Sequence, residues 1–198
     1  MRWSPGGRAV SEEVHVDYVI RPATVSDALV IARVHTIGWQ QGYQGLLPAQ
    51  FLADRLIEPS GWVAHLSQLP PRSRVFVAQS GDQIVGFSAC GPLGDAPDAE
   101  VTELHALYVL ADHWGNGAGF GLHQACVTAM VELSYREARL QVLAGNDRAV
   151  DFYLRQGWRD MGHEDQVDIG GVVATVRELS LALAVSEPHL KLHSSSGR

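Results

Sequence analysis

The feature that most restricts how this chain can fold is a run of alternating glycines. Gly115, Gly117, Gly119 and Gly121 fill four of seven successive positions, between a strand-like and a helix-like segment. Glycine accepts positive φ and lets backbone N–H groups approach a ligand closely. The start of a helix leaves further N–H groups unpaired at the positive end of its dipole. The run therefore predicts a backbone cradle for an anion such as a diphosphate.

Two other phosphate-binding motifs do not fit this run. A P-loop requires Gly-Lys-Ser/Thr after its glycines, and no such tripeptide occurs in the chain. A dinucleotide fingerprint that starts at Gly115 requires glycine at position 120, where the residue is Phe120. A tight strand-to-helix turn without a ligand stays open as the alternative.

Strand-like and helix-like patterns alternate on both sides of the glycine run, which predicts a mixed sheet with covered faces. Thr24 and Asp27 have the spacing of a helix cap, and Ser80–Asp82 has the composition of a hairpin turn. We expect residues 1–16 to form a loose arm and residues 17–184 one domain. The polar, serine-rich residues 185–198 read as a flexible tail or a cloning remnant.

The charge, cysteine count and apolar content of the chain exclude several classes of binding partner. The chain of 198 residues carries a formal charge of −7 and no run of Lys or Arg, which argues against nucleic-acid binding. Cys90 and Cys126, its two cysteines, are too few for a disulfide framework or a cysteine-based zinc site. No apolar run is long enough to span a bilayer, so we expect no membrane contact. The N-terminal segment lacks an apolar stretch fit for a signal peptide, so we expect a cytoplasmic protein. We also expect no bound metal.

Two blocks of sequence carry a family resemblance. The segment 104–109 followed by Trp114-Gly115-Asn116-Gly117-Ala118-Gly119 resembles the strand and pyrophosphate loop of the GNAT superfamily of acyl-CoA N-acyltransferases. The segment 146–153, followed by Gly157-Trp158, is similar to that family's downstream block. Trp114 departs from the pattern, because the family usually has Arg or Gln there. The departure removes a polar side-chain contact and leaves the backbone cradle in place.

The resemblance implies an α+β fold, with a central, mostly antiparallel sheet of about seven strands flanked by helices. It implies transfer of an acetyl group from acetyl-CoA to the primary amine of a small molecule, a polyamine or a protein, by a monomer or homodimer. Two alternatives stay open: a non-catalytic acyl-CoA sensor with the same fold, and an enzyme for longer acyl chains.

The chemistry requires a base for the amine and an acid for the leaving thiolate. Glu103 is the first candidate for the base and His105 the second. Strand alternation predicts that Glu103, His105, Leu107 and Val109 share one face. A carboxylate in a strand-edge hydrogen-bond network is an equally good interpretation of Glu103. Tyr153 resembles the family's thiolate-protonating tyrosine, although simple packing on the apolar face of a helix also fits.

The resemblance assigns the remaining contacts. The backbone of Leu107, Tyr108 and Val109 pairs with the pantetheine arm, and a Val109 N–H faces the thioester oxygen. Asn146 caps a helix and touches the cofactor, whereas Arg148 fits an exposed surface charge better than a phosphate contact. Trp39 and Tyr43 supply aromatic walls for the amine, with packing of a helix end as the alternative for each.

Overall fold

The computed structural model describes residues 17–94 and 100–184, so the predicted N-terminal arm and C-terminal tail lie outside the described residues. One seven-stranded sheet has the order β1-β2-β3-β4-β5-β7-β6. The strands are β1 Val19–Pro22, β2 Arg74–Ser80, β3 Gln83–Pro92, β4 Val101–Val109, β5 Glu137–Leu143, β6 Arg159–Asp168 and β7 Val173–Ala182. The helices are α1 Ala28–Gly42, α2 Ala49–Ala53, α3 Pro59–Ser67, α4 Ala118–Glu132 and α5 Asp147–Arg155.

The sheet is mixed and mostly antiparallel, as the resemblance implies. Only the central pair β4–β5 is parallel, and every other neighbouring pair runs antiparallel. Strands β6 and β7 form a long hairpin at one edge of the sheet, in which β6 runs from Arg159 to Asp168.

Helices cover both faces of the sheet. On one face Ile31 and Val34 of α1 pack with Val77 and Phe87 of the sheet. On the other face α4 and α5 form a second core, in which Cys126 and Met130 meet residues of β4, β5 and β7. Burial of each large apolar side chain stabilises the fold by about 1.5–3 kcal/mol. Cys90 and Cys126 are both buried, free thiols. None of the helices that the described residues form is both long and apolar enough to cross a bilayer.

The predicted cap before α1 is present. The amide of Thr24 donates to the Asp27 carboxylate over 2.8 Å, and a 3₁₀ turn at Val25–Asp27 leads into the helix. The Arg21 guanidinium also binds this carboxylate, at 2.8 Å, and holds the pKa of Asp27 down at about 2. The cap and the ion pair together fix the chain between β1 and α1.

The two central strands part after three residue pairs. Val101–Glu103 pairs with Glu137–Arg139, and beyond these residues β4 has no partner on its β5 side. Strand β5 instead continues alongside β7 to Leu143. The backbone of residues 104–109 therefore borders an open, V-shaped gap in the middle of the sheet.

A β-bulge lies where the gap opens. Ala89 pairs with Ala106, whereas Cys90 pairs with Leu104, so His105 has no partner in β3. The prediction that Glu103, His105, Leu107 and Val109 share one face is therefore wrong for the second half of the strand. Leu107 and Val109 pack in the core on the α4 side, and Ala106 packs on the α1 side. The reason is physical, since one inserted residue reverses the side-chain alternation beyond it.

Candidate active site

A cavity of about 540 Å³ fills the gap between the parted strands. Its wall combines the free edge of β4, the glycine loop, the C-terminal end of α1 and one face of α5. Among the predicted site residues, those that line it are Tyr43, Leu107, Tyr108, Val109, Trp114, Gly115, Gly117, Gly119, Asn146 and Tyr153. Glu103, Trp39, Asn116 and Ala118 are not part of its lining.

The glycine loop presents open backbone to this cavity. Gly115 and Gly117 have φ of 77° and 95°, a conformation that favours glycine, and a Cβ at either position would meet no atom within 4 Å. The Trp114 amide donates to the Ala111 carbonyl, and the amide of Gly121 makes the first α4 bond, to Gly117. The intervening amides of residues 115–120 donate no hydrogen bond to any residue that the structure describes. They form a set of unpaired donors at a helix N-terminus, which suits an anion.

Strand β4 turns part of its backbone into the gap. The Leu110 amide bonds to the Val85 carbonyl of β3, and backbone direction alternates along a strand. The N–H groups of Val109 and Leu107 consequently point away from β3, into the gap. The backbone of Tyr108 points to β3 instead, so only its side chain contributes to the wall. The Val109 carbonyl accepts a 2.7 Å bond from the Trp114 indole, which anchors the loop to the strand end.

Helix α5 supplies the opposite wall. The Asn146 side chain accepts from the Ala149 amide at 3.3 Å, which confirms the predicted N-cap. Tyr153 is buried, with 9% of its surface exposed. Its hydroxyl bonds to no described residue. Within the described ranges, every fully buried polar side-chain atom has a hydrogen-bond partner. The unpaired Tyr153 hydroxyl is therefore accessible, and it opens onto the cavity that Tyr153 lines. Burial raises the pKa of Tyr153, so the phenol keeps its proton at neutral pH.

Glu103 and His105 form a pair at the closed end of the gap. A Glu103 carboxylate oxygen lies 3.4 Å from His105 Nδ1, and the two side chains are 25% and 43% exposed. His105 lines the cavity and Glu103 stands behind it. The predicted proximity of these two groups is thus present, because the alternation that places them on one face holds up to the bulge.

The predicted acceptor residues belong to an aromatic cluster at the end of α1. Tyr43 lines the cavity, and its hydroxyl lies 3.2 Å from that of Tyr108. Trp39 is set back behind Tyr43, with ring centroids 5.0 Å apart. The guanidinium of Arg55 already covers the Trp39 ring, 3.7 Å from its centroid. Of the two predicted residues, Tyr43 is therefore the one placed to contact a ligand in the cavity.

The structure adds two polar residues, Gln41 and Arg148, to those that the sequence predicted for the site. The Gln41 side chain accepts from the Ala111 amide at 2.8 Å and so ties α1 to the glycine loop. Arg148 lines the cavity, and its guanidinium lies 3.1 Å from the centroid of the Trp114 ring. The one sequence signal for the contact between Arg148 and Trp114 was the presence of Trp114 where the family usually has Arg or Gln.

One group with metal-ligand chemistry lies elsewhere in the described part of the chain. His163, Asp165 and Glu178 place their ligand atoms within 4.8 Å of one another on the β6–β7 hairpin. Arg139 contacts Glu178 at 3.2 Å, which opposes a second cation there. The expectation of a metal-free protein stays a prediction.

Comparisons with known proteins agree with this geometry. A sequence profile of the Acetyltransferase (GNAT) family matches residues 37–158, which is more than half of the chain. This chain belongs to the GNAT family, and its class is that of the N-acetyltransferases. It is 26% identical over 156 residues to the uncharacterized N-acetyltransferase YuaI of Bacillus subtilis (strain 168), covering 77% of this chain and 86% of YuaI.

Two solved structures have the same fold. The PaiA N-acetyltransferase of Thermoplasma acidophilum in complex with coenzyme A has a TM-score of 0.66 at 17% identity, covering 82% of this chain and 98% of that one. The putative acetyltransferase YncA of Salmonella typhimurium with acetyl-CoA has a TM-score of 0.68 at 16% identity, covering 87% and 97%.

Proposed function

We propose that this protein transfers an acetyl group from acetyl-CoA to the primary amine of a small molecule or peptide. The observation that carries the proposal is the parting of β4 from β5 directly beside a loop of unpaired amides. That arrangement supports a ligand with a diphosphate at one end and an amide-bearing arm along the strand. Acetyl-CoA has this chemistry, and the two solved structures named above contain coenzyme A or acetyl-CoA.

The donor side is built from backbone. Amides of residues 115–119 receive the diphosphate, and the Leu107 and Val109 N–H groups pair with the pantetheine arm in the manner of an added strand. The Val109 N–H then faces the thioester oxygen, where it stabilises the oxyanion of a tetrahedral intermediate. Asn146 contacts the pantetheine arm from the α5 side of the cavity.

The transfer balances without a further reactant. The amine nitrogen attacks the thioester carbonyl, and the tetrahedral intermediate collapses as the C–S bond breaks. The amine proton passes to Glu103 through water, with His105 as the second candidate for this role. An alkyl ammonium must lose a proton before it can attack, because its ordinary pKa is near 10.4. The coenzyme thiolate takes the Tyr153 proton, which burial keeps on the phenol at neutral pH.

The acceptor enters beside Tyr43, at the end of the cavity formed by α1. Among the described residues, no carboxylate belongs to the lining of the cavity, which favours a neutral amine or one with a single charge over a polyamine. Tyr43 and the Tyr108 ring give this end an aromatic surface against which the carbon skeleton of an amine packs.

The test is release of free coenzyme A from acetyl-CoA across an amine panel, paired with the melting temperature of the protein with and without acetyl-CoA. We expect stabilisation by acetyl-CoA and thiol release with at least one amine. Stabilisation without thiol release from any amine favours the non-catalytic sensor. Propionyl-CoA and succinyl-CoA in the same assay measure acyl-chain preference. No stabilisation at millimolar acetyl-CoA contradicts the proposal.

A further inference from the structure

The charge around the cavity differs from that of the whole chain. The protein carries a formal charge of −7, yet the described residues that line the cavity include Arg148 and Arg155 and no Asp or Glu. A net negative protein repels an anionic ligand at long range. Binding of a diphosphate therefore depends on local positive charge at the loop.

Backbone alone supplies too little of this attraction. A charge at a helix N-terminus gains about 0.3–1 kcal/mol per interaction, whereas micromolar binding takes about 8 kcal/mol in total. The side chain that starts the loop, Trp114, is uncharged. Other contacts must therefore complete the affinity, and a cation from another element is one contact that suits an anion.

Arg148 is placed to be this cation. It belongs to the first turn of α5 and lines the cavity, and its guanidinium stacks 3.1 Å from the Trp114 ring centroid. A Cβ on Gly42, at the end of α1, would lie 3.8 Å from an Arg148 terminal nitrogen. The guanidinium thus lies between Trp114 of the glycine loop and the end of α1, in the same cavity as the glycines whose amides are unpaired.

Nothing in the described chain neutralises this charge. No described Asp or Glu oxygen lies within 4.0 Å of Arg148. Burial lowers the pKa of its guanidinium, although arginine stays protonated in proteins. A partly desolvated cation gains most from an anion that arrives with two or more oxygens.

Trp114 holds this cation in position. Its indole N–H donates to the Val109 carbonyl over 2.7 Å, a bond that favours this orientation of the ring at the strand end. An Arg side chain has about 2 kcal/mol of rotamer entropy to lose. Because Arg148 is already stacked on the ring, it loses less rotamer entropy when a ligand binds.

We infer that Arg148, held on the face of Trp114, binds the diphosphate of the acyl-CoA donor together with the amides of the glycine loop. The inference rests on the proposed function and adds to it a side chain that contacts the cofactor. The nucleotide 3′-phosphate of coenzyme A has the same chemistry and is the competing source of the anion.

Isothermal titration of three ligands separates these sources. Coenzyme A carries both groups, 3′-dephospho-coenzyme A carries only the diphosphate, and inorganic pyrophosphate is the diphosphate alone. We expect Arg148→Gln to raise Kd for all three by about 10- to 100-fold, the range for hydrogen bonds to a charged group. Arg33→Gln on the exposed side of α1 removes the same charge outside the cavity and should leave every Kd unchanged.

The contrary outcomes are distinct. A loss confined to coenzyme A assigns Arg148 to the 3′-phosphate and overturns the inference, as does an unchanged Kd in Arg148→Gln. Equal losses in Arg33→Gln overturn it too, since they indicate a long-range charge effect. Absence of coenzyme A binding by the unaltered protein instead overturns the proposed function itself.

A double-mutant cycle tests the role of Trp114. If the ring acts by holding Arg148, Trp114→Leu weakens coenzyme A binding, and adding Arg148→Gln to it causes little further loss. Fully additive losses overturn the stacking part of the inference. Melting temperatures of the variants confirm that each is folded.

Discussion

Trp158 donates its indole N–H to Nε2 of His123 over 2.8 Å in the core between α4 and the start of β6. His123 is 1% exposed, and burial lowers its pKa to about 4. His35 accepts a similar bond from Trp39 at 3.0 Å, and its pKa is lowered to about 4 as well, mainly by burial. Both bonds require an unprotonated imidazole nitrogen.

These histidines make stability depend on pH in a defined window. The unfolded chain takes up protons near pH 6.5 and the folded chain only near pH 4, so the free energy of unfolding falls as pH drops through this range. Each histidine contributes a slope of up to about 1.4 kcal/mol per pH unit. Urea unfolding between pH 7.5 and 4 measures it. His123→Gln should give a shallower slope than the unaltered protein, and equal slopes in the two proteins contradict this account.

Gly117→Ala should weaken acetyl-CoA binding more than it weakens the fold. Positive φ costs a non-glycine residue about 1–2 kcal/mol, and the new Cβ would project where the diphosphate approaches the loop. Gly81→Ala, in the β2–β3 hairpin, is the matched control because its φ is also positive, at 56°, with equally open space around a Cβ. We expect similar losses of stability in thermal unfolding, and at least about a tenfold rise in the acetyl-CoA Kd for Gly117→Ala alone. Equal Kd values for both variants would remove the loop from the site.

Tyr153→Phe should lower kcat by about 100-fold or more, within the usual range for a general acid, with little change in acetyl-CoA affinity. The hydroxyl opens onto the cavity and bonds to no described residue, so its loss leaves no protein group unpaired. Tyr135→Phe is the control, because it removes a tyrosine hydroxyl that lies outside the cavity lining. That hydroxyl donates to the backbone carbonyl of Arg72. Steady-state kinetics and binding by titration separate the two effects, and an unchanged kcat returns Tyr153 to a packing role.

Glu103→Gln should abolish most transfer while leaving acetyl-CoA binding intact, with a loss of about 100-fold or more in kcat. The matched variant is His105→Gln, since the two side chains are in contact and only His105 lines the cavity. If Glu103 is the base, the first variant loses more activity than the second at every pH. The reverse order, measured as kcat/KM profiles from pH 6 to 9, assigns the proton transfer to His105.

The sequence by itself determined the local features of this protein. Glycines at 115 and 117 predicted open backbone, and the structure gives them positive φ and unpaired amides nearby. Asn146 and the Thr24–Asp27 pair predicted helix starts that are present. Such features depend on neighbours within a few residues, where turn and capping chemistry act. The two ordered blocks of sequence identified the family for the same reason, because they record these local requirements.

Only the tertiary structure decided what the gap between β4 and β5 contains. The bulge at His105 arises from the register of β3, a strand some fifteen residues earlier, and strand alternation cannot foresee it. The stack of Arg148 on Trp114 joins two elements that are separated in the chain by all of α4 and β5. From sequence alone, a long, charged side chain on a helix surface is predicted to be solvent-exposed. Only the fold shows whether another surface packs against it. Long-range pairing, rather than local propensity, therefore set which predicted residues face the cavity.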